Sequence, residues 1–454
     1  MKVSLNTIKK YTDVDLSVDE LIVKINAQLG GVENVIDLGE RYKDALIVKV
    51  VECEKHSNAD KLSVCQIDIG TKELVQVVCG APNVRAGMYA VWLPPKSTVP
   101  ASFEDKEPFV IDVRELRGII SNGMLASPKE LGISDSHEGL LEINENDEGV
   151  KPGASFSKTY GLDDTIIEIE NKMFTHRPDL FGQLGVAREI AGIQNKQFAE
   201  PEWYWEVQKF ESADSLDFEA VNESPEKVPR FMALALKNIE VKPSPLWLQC
   251  ELIRLGSKPI NNVVDATNYI MLLTAQPTHA YDYDKLRGHK LVSRLAKKGE
   301  SVKLLNDKTY ELNESDIVIA DEEGPVGLAG IMGGGESEVS DETKNIVLEV
   351  ATFDMYTLRR SSMRHGVFTD ALSRFNKGQS PLQNDRVMSQ LLNLIIELTN
   401  GEQASDAFDL QSPDIKEAYD AQSLCEDLRV EADFINKRLG LSLPEPEIER
   451  LLRN

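Results

Sequence analysis

Little in this sequence points to redox, metal or membrane chemistry. Its five cysteines, Cys53, Cys65, Cys79, Cys250 and Cys425, form no CxxC pair and have no histidine at metal-ligand spacing. They read as reduced, mostly buried thiols, and no metal site is expected. The N-terminal stretch MKVSLNTIKKYTDVDL lacks the apolar centre and cleavage site of a signal peptide, and no run has the length needed to cross a bilayer. A cytoplasmic protein is the expectation. Neither a GxSxG elbow nor an HExxH helix is present, and there are only six histidines, so a serine nucleophile or a zinc-bound water is not expected. Positive charge is also scarce: 50 Lys plus Arg stand against 75 Asp plus Glu, a net charge of −25. That balance excludes general adhesion to nucleic acid and leaves room only for a local basic face.

What the chain does have is length and apolar content. At 454 residues it exceeds one hydrophobic core, and units of roughly 100–200 residues predict three or four domains. In SVDELIVKINAQLG, Leu21, Ile22, Ile25 and Leu29 recur at near-helical spacing before Gly30-Gly31. One helix cannot make a domain, so it is expected to pack on residues 152–200, where Leu180, Leu184, Ala187 and Ala191 share a face. Residues 1–40 and 152–200 would then form a small α+β domain, with 41–151 inserted in it. Inside the insertion, DALIVKVVECEKH, LSVCQIDIG, LVQVVCG and MYAVWLP are short β-branched runs between turns, which predicts a small β-barrel. Residues 205–400 mix strand-like runs such as SDIVIA and NIVLEV with helical ones, the pattern of a further α+β domain. Residues 405–454 begin another unit, helix, turn and helix, with Ser442 and Glu445 spaced as a capping box. Two short helices bury too little to stand alone, so the sequence is expected to be part of a longer polypeptide.

Three blocks in order, KHSNADKLSVCQIDIG, VVCGAPNVRAG and ELRGIISNGMLASPKELG, are similar to the tRNA-binding OB-fold module of synthetase β subunits and free-standing tRNA-binding proteins. The resemblance implies that His56, Asn58, Lys61, Asn83, Arg85, Arg117, Ser121, Asn122 and Met124 lie on or near a tRNA face. Barrel loops can present amides and cations to a sugar-phosphate backbone on a rigid support. Asn83, Gly87, Asn122 and Gly123 are equally what tight turns require. The block 41–150 carries 12 Lys plus Arg against 18 Asp plus Glu.

The segment LGSKPINNVVDATNYIMLLTAQPTHAYD, followed by GLAGIMGGGESEVSDETKNIVLEVATF and RRSSMRHGVFTDALSRFNKG, resembles the editing (B3/B4) domain of bacterial phenylalanyl-tRNA synthetase β subunits. With HRPDLFGQLGVAREIAGI the resemblance covers essentially the whole chain. It implies an OB-fold barrel inserted in the small N-terminal α+β domain, then a mixed α/β editing domain at 205–400, then the start of a winged-helix-like domain at 405–454. In that family the editing domain hydrolyses tRNA-Phe wrongly charged with tyrosine. An aminoacyl ester is already labile, so such a site need only position water and select its substrate.

Carried over residue by residue, the resemblance places His279 beside the ester and Gly333 at an open entrance. It makes Glu349 the acceptor for the tyrosyl hydroxyl, lets Thr369 and Ala371 shape the wall around the ring, and puts Lys258 in the pocket. By pattern alone, His279 caps a turn, Glu349 is the solvent face of a strand, and the glycines 333–335 serve close backbone packing. Two positions depart from the family: Lys258 stands where arginine is usual, which removes a planar bidentate fork, and Asn376 where glutamate is usual. The resemblance further implies a synthetase α subunit as partner in an (αβ)₂ assembly, tRNA-Phe as ligand, and ATP and Mg²⁺ in the complete enzyme, with neither assigned to this part. A non-catalytic tRNA-binding and assembly module with a lapsed editing site is the alternative, and a free-standing editing or tRNA-chaperone protein is a third reading. Deacylation of Tyr-tRNA separates the first two.

Overall fold

The computed structural model describes residues 1–205, 210–420 and 429–453, so Cys425 lies outside the described residues. Ser17 starts the first long helix, Val18–Gln28, through a capping box with Glu20, which satisfies two backbone donors that a helix N-terminus otherwise leaves unpaired. Its buried side chains are Leu21 and Ile25. They share a core with Val3, Ile8, Ile167, Leu180, Ala187 and Ile190. A three-stranded antiparallel sheet completes this unit, in the order Lys2–Ser4, Thr165–Ile169, Val32–Asp37. The paired strands Val32–Asp37 and Thr165–Ile169 are therefore separated in sequence by the whole inserted block.

The inserted block forms a meandering antiparallel ladder in the order Glu142–Ile143, Tyr89–Leu93, Leu46–Lys55, Ser63–Asp68, Val75–Cys79. The sequence leads one to expect a barrel; among the described residues the ladder is open, with no strand pair joining its two ends. Side chains from the separate hairpin Val113–Leu116/Ile119–Asn122 cover the Val75–Cys79 edge instead. Ser121 Oγ accepts from Val78 N at 3.0 Å, and Asn122 Nδ2 donates to Gln76 O at 3.2 Å. Polar side chains thus do at this edge what a closing strand would do with backbone groups.

The third region is built on two sheets. One runs Thr278–Asp282, Ile346–Thr352, Arg230–Lys237, Glu402–Gln403, and the other Glu219–Asn222, Lys290–Leu295, Ile317–Ala320, Pro325–Leu328, Met332–Gly333. Side chains alternate across a strand, so Met232, Leu234 and Leu236 pack with the helices Asn262–Thr274 and Asn384–Thr399. Phe231, Ala233, Ala235, Tyr281, Val347 and Ala351 turn the other way, toward the second sheet. All seven residues of Ile346–Thr352 are buried. Glu349 shares the parity of Val347 and Ala351, which corrects the pattern-based reading of it as solvent-facing.

The third region is docked on the first. Arg254, from the helix Leu246–Arg254, lies 3.4 Å from Asp164 and donates to Gly161 O at 3.0 Å. Asp164 also accepts from Ser4 Oγ. At the C-terminal end, the helix Ala432–Leu439 stops at Gly440 in the left-handed conformation. Asn436 then clamps Leu443 through both its N–H and its carbonyl. The next helix, Glu445–Arg453, starts from the carbonyl of Pro444, which accepts from Glu447 N and Ile448 N. The expected Ser442–Glu445 capping box is therefore displaced by a proline start. Among the described residues no helix is long and apolar enough to cross a membrane.

Candidate active site

His279 and Glu349 sit directly opposite each other on the antiparallel strands Thr278–Asp282 and Ile346–Thr352, and Ala233 is opposite Glu349 on its other side. Two residues along, Tyr281 falls on the same face as His279. The two rings meet edge to face, 4.5 Å between centroids. The Tyr281 hydroxyl donates to Glu349 Oε2 at 2.5 Å. Three side chains of different chemistry are thereby fixed by strand register alone.

Burial shifts all three in ways that matter for chemistry. It pushes the Glu349 carboxyl up to about 7, against which the Tyr281 hydrogen bond pulls down. It lowers the His279 imidazole to about 4, so this ring is neutral at physiological pH and offers one donor and one acceptor. A neutral imidazole can orient a water or a ribose hydroxyl. Tyr281 itself is held well above its ordinary value by burial and by the Glu349 charge, so it remains a donor.

Glycine at 333 leaves room for the His279 ring where the second sheet approaches. A Cβ there would lie 2.6 Å from Cε1 and Nε2 of His279, closer than any real contact. Ile331, two residues earlier, accepts from Thr369 Oγ1 at 2.8 Å. Thr369 in turn caps the helix Asp370–Phe375 by accepting from Leu372 N at 3.1 Å, and Ala371, half-buried, lies in the first turn of that helix. Thr369 thus bonds to Ile331, two residues before the Gly333 that lies against His279. Lys258 pairs through its exposed ammonium with Asp135 of the inserted block. Asn376 closes the Asp370–Phe375 helix, and its carbonyl accepts from Arg359. Sequence reasoning passed over Tyr281, although its i+2 spacing from His279 in a strand was the signal that could have found it.

The residues expected on a tRNA face divide by environment. His56 is buried, with Nε2 3.0 Å from Leu116 O and Nδ1 accepting from Asn58 N. Asn83 is spent on Leu140, donating to its carbonyl and accepting from its N–H. Ser121 and Asn122 hold the sheet edge as described, and Arg85 pairs with Glu142. Asn58, Lys61 and Arg117 are exposed, with Arg117 at the tip of its hairpin at φ 53°. Met124 and Ser121 line a cavity of about 450 Å³ beside Arg114, Glu130 and His137.

Comparison with known proteins places these modules. Residues 227–400 match the B3/4 domain family and residues 46–155 the putative tRNA binding domain family. A phenylalanine-tRNA ligase β subunit of Staphylococcus haemolyticus is 33% identical over 460 residues, covering 100% of this chain and 55% of that one. Its counterpart from Halalkalibacterium halodurans is 35% identical, covering 99% and 54%. The chain thus spans about half the length of the curated relatives it matches. A solved N-terminal fragment of the phenylalanyl-tRNA synthetase β subunit from Pyrococcus horikoshii is 18% identical over 64% of this chain and 76% of that one, with a TM-score of 0.27.

Proposed function

Taking this chain, over its whole length, as a relative of phenylalanine-tRNA ligase β subunits, we propose that it edits: it hydrolyses the ester of tRNA-Phe wrongly charged with tyrosine. The observation that carries the proposal is the His279–Tyr281–Glu349 cluster inside the B3/4 domain, at the place where Gly333 lets the second sheet approach the imidazole. Glu349 offers a buried acceptor for a phenol, His279 a neutral hydrogen-bonding group for the ester end, and Thr369 and Ala371 a wall for the ring. A phenylalanyl side chain gives Glu349 nothing in return for desolvation, and selectivity follows from that difference.

The remaining parts fit the same assignment. The inserted block is an OB-type module that offers Asn58, Lys61 and Arg117 to tRNA, while His56, Asn83, Ser121 and Asn122 hold its loops in place. The N-terminal unit is residues 1–40 plus 152–200, the editing unit 205–400, and 405–454 opens a winged-helix-like domain. A cytoplasmic α subunit in an (αβ)₂ assembly supplies adenylate formation, and ATP and Mg²⁺ serve that step rather than any residue named here.

The experiment is hydrolysis of preformed Tyr-tRNA-Phe and Phe-tRNA-Phe by this chain, with His279→Ala and Glu349→Ala beside it. Selective loss of the tyrosyl ester, slowed on the order of 10-fold or more in both variants, is expected. Equal rates for both esters, or no effect of either substitution, would overturn the assignment in favour of a tRNA-binding and assembly module.

A further inference from the structure

Glu349 does not wait unpaired for a substrate. Its Oε2 already holds the Tyr281 hydroxyl at 2.5 Å, and Tyr281 is anchored edge to face on His279, 4.5 Å between ring centroids. A side chain on the acceptor's own sheet thus presents the same phenolic group that the proposed substrate would bring. Such a neighbour can act in two ways: by occupying the acceptor it competes with the substrate, or by tying one oxygen it orients the other.

We infer that Tyr281 is a specificity-determining positioning residue, whose hydroxyl ties one oxygen of Glu349 and aims the other at the phenol of a tyrosyl substrate. The inference rests on the editing reading above. Geometry favours orientation over competition, because a carboxylate has about four acceptor positions and one phenol occupies one of them. Among the described residues Oε1 carries no hydrogen bond, and Tyr281 is buried within the apolar cluster between the two sheets.

The surroundings make the carboxylate depend on this one donor. Ala233, opposite Glu349 on one side, does not titrate, and His279 on the other is neutral above about pH 4. Leu328, Ile331, Leu358 and Phe375, from the second sheet and the helices packed over it, belong to the same buried apolar cluster as Tyr281. Burial raises the Glu349 carboxyl to about 7, and the Tyr281 hydrogen bond is the influence that opposes it. A hydrogen bond to the charged form favours that form, so without Tyr281 the acceptor is protonated at higher pH and accepts less well.

The test is the ratio of kcat/KM for Tyr-tRNA-Phe over Phe-tRNA-Phe, followed from about pH 6 to about pH 9 for the full chain and for Tyr281→Phe, with Glu349→Gln as reference. If the carboxyl rises by about one unit, the ratio falls roughly fivefold at neutral pH in Tyr281→Phe and recovers toward about pH 9. It stays low and flat in Glu349→Gln. An unchanged ratio overturns the inference, and a higher one shows that Tyr281 competes instead. Infrared titration of the Glu349 carboxyl in the same variants supplies a second readout that needs no turnover: a midpoint unmoved by Tyr281→Phe overturns the inference whatever the esters do. Failure of the unaltered chain to hydrolyse either ester overturns the editing reading, and the role given to Tyr281 falls with it.

Discussion

Glu349 shows how much one residue can cost a fold that uses it. Its carboxyl titrates near 7 in the folded chain because burial disfavours the charge, against 4.5 for the free group. A raised carboxyl contributes its full stability below the unfolded value and loses it as pH rises through the folded one. Glu349→Gln is therefore expected to leave stability unchanged near pH 4 and to raise it by about 3 kcal/mol above pH 7. Urea unfolding at the two pH values checks this, and a difference independent of pH would contradict it. His279 slopes the other way: its imidazole is lowered to about 4, so its contribution is present above about 6.5 and is lost as pH falls. The two residues at the site's centre thus oppose each other in pH dependence.

At the scale of elements, the open edge of the inserted block is the instructive case. Strand-like runs were legible as strands because Val, Ile and Leu alternate between turn residues, but whether the ladder closes depends on long-range register that no local run records. Here Ser121 Oγ takes the Val78 N–H and also donates to Gly123 O. Ser121→Ala leaves that buried N–H without its acceptor, and a loss of about 1–3 kcal/mol is expected. Hydrogen exchange reads it directly: protection should drop at Val78 while the Leu46–Lys55/Ser63–Asp68 pair stays slow. The same contrast appears at the end of the chain, where Pro444 starts the last helix in place of Ser442. Spacing alone could not tell a capping serine from one two residues upstream of a proline start.

For the molecule as a whole, the contact between its first and third regions rests on buried charge. The side chains of Arg254 and Asp164 are 2% and 0% exposed, and Arg254 also pairs with Glu251. Burial raises the Asp164 carboxyl, while Ser4, Asn6 and Arg254 oppose the shift. Removing the guanidinium leaves the buried Asp164 without its cation, while Glu251 keeps Lys10, and Arg254→Ala is expected to cost about 3–5 kcal/mol. The expected readout is a lower urea midpoint, with proteolysis separating residues 1–200 from the remainder. An unchanged midpoint would mean that the two regions are held by their other contacts, among them Lys10–Glu251 and the Arg374 hydrogen bond to Phe181 O.

Sequence by itself determined what depends on local pattern and on motif order. Leu21 and Ile25 face inward because 3.6-residue spacing leaves them no other way to be buried, and the ordered motifs around His279, Gly333 and Thr369 mark the B3/4 domain without reference to coordinates. Tertiary structure alone decided what depends on which groups meet. It buried Glu349, which residue pattern alone puts on a solvent face, since both faces of its strand are covered. It set Tyr281 on that acceptor, sent Lys258 to Asp135, and made His56 and Asn83 structural. Residue spacing specifies which side of a strand a side chain occupies, but what lies across from that side is set by the packing of segments far apart in the chain.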